Sequence, residues 1–232
     1  MLRTMEDEKL WSEVDLYIHD RLLGADPALE AALAESDRAG LPQIAVSAPQ
    51  GKMLHLLAKA TVAARILEIG TLGGYSTIWL ARALPEHGRL TSLEVDPRHA
   101  EVASANVAKA GLADRVEIRV GRAIDSLPTL RDELARSADT RAFDMVFIDA
   151  DKPSTSAYFE HAVDMTRPGG LIVVDNSVRR GRIADPSDSD PNVVGMRNFH
   201  DLLAGRSDVQ ATTVQTVGSK GYDGFTLIYV GS

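Results

Sequence analysis

A doubly wound α/β fold on a seven-stranded, mostly parallel sheet is what the sequence predicts, on three observations. From Arg65 onward, short β-branched apolar runs alternate with longer amphipathic stretches. Parallel neighbours need a crossover and bury both faces, so apolar strands spaced by helix-length segments imply helices on both faces of the sheet. The last two apolar runs have no such segment between them, which predicts a C-terminal hairpin and one antiparallel strand.

The elements follow in order. Apolar residues recur at helical spacing over 8–23 and 27–39, as at Leu10, Val14, Ile18 and Leu22, and Pro49 stands where it can open a third helix through Leu57. RILEI is the first strand, YSTIWLARAL a helix, RLTSLEV the second strand and His99 to Lys109 the next helix. RVEIRV, FDMVFID and GLIVVD read as strands. A loop at Asp185 to Pro191 and a helix near 193–204 lead to closing strands around 209–217 and 224–230, joined through VGSKGYDG. No repeat, low-complexity tract or dividing linker interrupts the 232 residues, so one domain is expected, with helices over 1–45 in front of the sheet.

Composition narrows the function. Acidic residues number 33 against 25 basic, a net charge of −8, which disfavours a nucleic-acid or anionic-membrane surface. There is no cysteine, which excludes disulfides, thiolate chemistry and Cys-ligated zinc and leaves oxygen or imidazole to hold any metal. Charges break up the first twenty residues and no run approaches the ~18 apolar residues of a membrane span, so a cytoplasmic protein is expected.

In an open α/β sheet ligands bind beyond the carboxyl ends of the strands. After RILEI comes Gly70-Thr71-Leu72-Gly73-Gly74-Tyr75-Ser76, a glycine-rich turn whose backbone can approach a ligand closely at a helix start. Two and five residues after Gly70 stand Leu72 and Tyr75, so the dinucleotide pattern GxGxxG is missing. Glu94, twenty-four residues after Gly70 at the end of the second strand, can accept both hydroxyls of a ribose. Turn and acid together indicate an adenosine-containing ligand, although either alone reads equally as a tight turn or a solvated strand end. Asp149 ends the fourth strand, and Asp175 with Asn176 the fifth. Strands lie ~4.8 Å apart, so these three oxygen donors can converge on a hard divalent cation, Mg²⁺ before Mn²⁺ or Ca²⁺. Singly, each would serve as a turn cap. Lys152, three residues beyond Asp149, can reach a hydroxyl on the same ion. A nearby cation favours its neutral, proton-accepting form, whereas the carboxylates favour the ammonium.

EIGTLGGYS, LEVD, FIDADK and VVDNS, in that order and spacing, resemble the class I, cation-dependent O-methyltransferases of the caffeoyl-CoA and catechol type, over about Ile44 to Val230. The resemblance implies a Rossmann-like sheet and S-adenosylmethionine as methyl donor. It places Val46, Glu68, Gly70, Thr71, Ser76, Glu94, Ala123 and Asp151 at the cofactor, Asp149, Asp175 and Asn176 at the metal, and makes Lys152 the general base. It further implies a homodimer, N-terminal helices that cover the acceptor or join subunits, and an acceptor-side insertion over 177–192. That segment carries Arg179, Arg180 and Arg182, which read either as a grip on an anionic acceptor or as a solvated loop. Trp11, Tyr17 and Trp79 read as core or subunit-contact residues, and the six histidines form no ligand-spaced pair. The activity so implied is methyl transfer to a hydroxyl of a vicinal diphenol. The alternatives are a non-catalytic protein that binds the cofactor and a nicotinamide-dependent oxidoreductase, which lacks its glycine pattern here.

Overall fold

The period of the sequence changes at Arg65, and the fold changes with it. The computed structural model describes residues 5–136 and 142–231, so residues 1–4 of the expected N-terminal segment, 137–141 and 232 fall outside the described residues. Three helices come first: α1 Met5–Ile18, continued by a π-helical turn His19–Leu23, then α2 Pro27–Arg38 and α3 Ala48–Ala60. The alternation then runs β1 Arg65–Ile69, α4 Tyr75–Ala81, β2 Arg89–Glu94, α5 Pro97–Lys109, β3 Val116–Val120, α6 Ala123–Arg136 and β4 Phe143–Ile148. It closes with α7 Thr155–Met165, β5 Thr166–Asp175, α8 Pro191–Ala204, β6 Val209–Gly218 and β7 Gly221–Val230. Proline in the first turn and a side-chain cap begin α2, α3, α5 and α8, with Asp26, Ser47, Asp96 and Asp190 accepting from backbone amides.

The sheet order is β3-β2-β1-β4-β5-β7-β6, with β7 antiparallel to both neighbours and the other six strands parallel. The crossovers α6 and α7, which the sequence pattern left unassigned individually, cover one face together with α8. The hairpin is tighter than the eight-residue stretch VGSKGYDG, because pairing continues to Gly218 and Gly221 and leaves Ser219 and Lys220 as the turn. The helix expected over YSTIWLARAL stops at Ala81, ahead of Pro85, while β5 starts earlier than GLIVVD, at Thr166, through a register shift.

Strand alternation sorts the core into two faces. Ile66, Met145, Phe147 and Val173 pack with Leu54, Ile78 and Leu80 on the side of α3 and α4. Leu67, Ile69, Val146, Ile148 and Ile172 pack with Leu127, Phe159 and Phe199 on the side of α6 to α8. By the same parity Glu68 falls on the α4 side, and Asp149 and Asp175 continue that side at the ends of β4 and β5.

At the opposite end, Asp144 ties three strands together. Its Oδ2 accepts from the amides of Ala64 and Arg65, each at 2.8 Å, and its Oδ1 accepts from Arg167 Nε at 2.6 Å. Removing the carboxylate leaves two amides and a guanidinium without their partner. Asp144→Ala is therefore expected to cost about 2 kcal/mol, read as a fall of about 4–8 °C in the thermal midpoint; an unchanged midpoint would show that solvent replaces these bonds at no cost.

Candidate active site

The sheet order reverses between β1 and β4, and a cavity of about 710 Å³ opens over the strand ends on both sides of that point. Its wall includes Val46, Gly70, Thr71, Ser76, Glu94, Ala123, Asp149, Asp151, Lys152 and Asn176. The structure thus brings ten of the twelve expected site residues to one cavity. Glu68 and Asp175 stand behind its wall, fully and almost fully buried.

The glycine turn is fixed from three directions. Gly70 has φ +102°, and a Cβ there would collide with the carbonyl oxygen of Asp149. Leu72 (φ 49°) and Gly74 (φ 82°) are also left-handed. Glu94 Oε2 accepts from the amides of Thr71 (3.0 Å) and Leu72 (2.8 Å), and its Oε1 from the amide of Asp96 (3.0 Å). A carboxylate has about four acceptor directions, so this acid both shapes the turn and keeps capacity for a ligand hydroxyl. From outside, Asn106 Nδ2 donates to the carbonyl of Gly73 at 2.9 Å, and Ser36 of α2 fills the space a Gly73 side chain would need. Leu33, Ser36 and the segment 42–46 also line the cavity, so residues ahead of the sheet supply one of its walls.

Glu68 lies one layer behind the cavity wall. The parity of β1 turns it under α4, where its oxygens accept from Ser76 Oγ (2.6 Å), Thr77 Oγ1 (2.5 Å) and Ser92 Oγ (2.7 Å). Burial pushes its carboxyl up to about 7 against these three hydroxyls, with the charge of Asp149 adding to the rise. It reaches the cavity through Ser76.

At the other strand ends, Lys152 Nζ donates to Asp149 Oδ1 at 2.9 Å, and the lysine is 6% exposed. Asp175 Oδ1 accepts from the amide of Asn176 at 2.8 Å. Burial and then the charge of Asp149 push Asp175 up to about 7, while Lys152, the Asn176 amide and the side chain of Gln50 pull it down. Two carboxylates and a side-chain amide at the ends of neighbouring strands offer the oxygen donors that suit a hard divalent cation. Among the described residues no group of three His, Asp or Glu side chains is placed to hold a metal, and the third donor here is an amide. Asp151 accepts from the Tyr158 hydroxyl and from the Ser154 amide at 3.2 Å. Burial opposes its ionisation, yet these donors hold it below the usual carboxylate range, and burial with Asp151 pushes Tyr158 up to about 12.

His99 and Tyr158 also line the cavity, beside residues expected at the site. His99 lies with Nδ1 3.6 Å from Glu94 Oε1 and Nε2 3.8 Å from Asp96 Oδ2. Its signal was position, one turn into the helix that follows Glu94, rather than ligand spacing. Tyr158 is found only through its bond to Asp151. Trp79 is buried in the core as expected, whereas Tyr17 is 65% exposed.

The model of the O-methyltransferase family matches residues 25–229. The catechol O-methyltransferase of Niastella koreensis is 50% identical over 224 residues, covering 97% of this chain and 99% of that protein. That of Mycobacterium tuberculosis is 52% identical over 218 residues, covering 94% and 95%. Among solved structures, the O-methyltransferase TomG from Streptomyces achromogenes, in complex with SAM, superposes with a TM-score of 0.92 at 52% identity, covering 99% of this chain and all of that one.

The buried Glu68 carboxyl sets a stability trend. With its folded pKa raised to about 7 from the ordinary 4.5, the folded state holds a proton that the unfolded chain gives up, so its contribution is complete below about 4.5 and is lost as pH rises to about 7. Glu68→Gln does not titrate. The midpoint of Glu68→Gln minus that of the wild type is therefore expected to grow between pH 5 and pH 8; a difference independent of pH would mean that the carboxyl stays ionised throughout.

Proposed function

The chain belongs to the O-methyltransferase family and is a SAM-dependent O-methyltransferase, and on that premise we propose that it methylates one hydroxyl of a small vicinal diphenol held on a divalent cation. The observation that carries the reading is that Asp149, Asn176 and Lys152 line the same cavity as the glycine turn. The relatives named catechol O-methyltransferases support the acceptor class. Neither the non-catalytic nor the nicotinamide-dependent alternative is favoured by these similarities.

The cofactor end is assigned first. Gly70, Thr71 and Ser76 cradle the methionine portion of SAM, with Val46 across from them, Glu94 on the ribose hydroxyls, and Ala123 at the adenine. Asp151 completes the contacts. Gly70 makes the turn possible, because a Cβ there would collide with the carbonyl of Asp149, and the turn so formed lines the cavity. Glu68 acts on the cofactor only through Ser76, as a positioning residue.

Asp149, Asp175 and Asn176 would hold the cation. When bound, it would chelate the two hydroxyl oxygens and lower the pKa of the reacting one. With Asp149 given over to that ion, the uncharged amine of Lys152, buried at the wall, would take the hydroxyl proton. The phenolate oxygen then forms its bond to the methyl carbon as the sulfur–carbon bond breaks, and S-adenosylhomocysteine leaves. Cationic sulfonium and anionic oxygen cancel in that step, so a cavity walled by Val46, Leu72 and Tyr75 favours it by excluding water. Holding oxygen, methyl and sulfur in line supplies much of the acceleration.

The test is methyl transfer from SAM to catechol with Mg²⁺ or with EDTA. Chelation and Asp149→Ala are each expected to remove turnover, and Lys152→Ala to lower kcat by about 10²–10⁴-fold with little change in the KM for SAM. Glu94→Ala is expected to weaken SAM binding instead, read by calorimetry. Turnover that survives EDTA would overturn the cation; a Lys152→Ala enzyme with wild-type kcat would overturn the base.

A further inference from the structure

Four basic side chains line the cavity, and three of them face carboxylates: Lys152 is bonded to Asp149, His99 lies beside Glu94 and Asp96, and Arg122 is 3.8 Å from Asp125. The fourth is Arg179. Among the described residues it has no carboxylate within ion-pair distance, and its Nε is buried without a hydrogen-bond partner. A guanidinium is a fork of donors that seeks a planar oxyanion, and a buried donor without a partner is costly.

Its neighbours show that the position is built. Arg182 is engaged by Asp188 at 2.7 Å and Asp190 at 3.0 Å, and Arg180 is exposed. The backbone at Arg179 (φ 51°) and Arg180 (φ 58°) lies in the left-handed region, which L residues enter at a cost. Asp223 offsets that cost: its Oδ1 accepts from the amides of Val178 (3.0 Å), Arg179 (2.9 Å) and Gly224 (2.9 Å). The loop is thus held from β7 in a strained form that puts a guanidinium against the cavity, three residues after Asn176.

We propose that Arg179 is the specificity-determining residue for an acceptor that carries a carboxylate. The inference rests on the diphenol reading of the acceptor. Two hydroxyls at the Asn176 end of the cavity and a carboxylate on Arg179 fix the ring at two places and so decide which hydroxyl meets the methyl group.

Caffeic acid and its methyl ester differ only in the charged group. The experiment measures kcat/KM for both on the Mg²⁺-loaded enzyme with SAM, and calorimetric Kd for both on the enzyme loaded with Mg²⁺ and S-adenosylhomocysteine. The wild type is expected to favour the acid by about 10- to 100-fold, Arg179→Gln to erase that preference, and Arg179→Lys to restore part of it. Arg182→Gln, whose charge is already paired, is expected to leave the acid-to-ester ratio as it is. An equal ratio in wild type and Arg179→Gln would overturn the inference, and so would a loss in Arg179→Gln confined to SAM affinity, which would give the guanidinium to the cofactor's own carboxylate. If neither compound is methylated but the acid binds more tightly through Arg179, the diphenol reading fails and the anion site stands. Methylation of both with no preference in rate or binding leaves the diphenol reading and removes this one.

Discussion

Burial of carboxylates that strand parity brings to one side of the sheet is the constraint on which the site depends. Glu68, Asp149 and Asp175 share one side of the sheet by strand parity, and two couplings run through Asp149, one to Glu68 and one to Asp175. Burial alone would raise both partners, and the shared neighbour raises them further. Lys152 is the cation that relieves this at Asp149. A buried lysine on a half-buried acid is weak evidence of stability by itself, because desolvation offsets the attraction. Its placement in the cavity wall is better explained by chemistry at that wall than by fold energy.

The same geometry explains why the glycine turn is so heavily tied. The switch in sheet order leaves the ends of β1 and β4 side by side, with the Asp149 amide donating to the carbonyl of Ile69 at 2.8 Å. A side chain at Gly70 would strike Asp149, so the approach of the two strand ends requires glycine there. Glu94 then closes the arrangement by joining the turn after β1 to the end of β2. The glycine turn and Asp149 are therefore one mechanical unit: a displacement of Gly70 moves both.

How much of this was legible follows from the range of each interaction. Strand periodicity, the crossovers and the terminal hairpin are local patterns, and residues that follow strands were found because their place in the fold is a place in the sequence. Glu68 was readable as important but not as buried under α4, because that depends on which face of β1 the α4 hydroxyls cover. The Gln50–Asp175 contact, the Asn106 clamp on Gly73 and the Tyr158–Asp151 bond join residues of separate elements. No spacing rule announces them. His99 carried a positional signal that the search for ligand-spaced pairs passed over.

The arginine segment shows the limit most clearly. Its three arginines look equivalent as a string, and as a string they read as a solvated loop. Asp188 and Asp190, a few residues on, neutralise Arg182, and that pairing could be anticipated from proximity. What separates Arg179 is Asp223, 44 residues away from the amide it holds, together with the buried, unpartnered Nε that results. One distant carboxylate thus turns a run of like charges into a single directed group. Because Asp223 pairs with backbone amides, it leaves the guanidinium's charge uncompensated, so the loop is ordered without the arginine being silenced. An acidic chain has carboxylates to spare for pairing each cation at its cavity, and it pairs the others that line this one. The exception is Arg179, whose uncompensated charge is left to attract an anion.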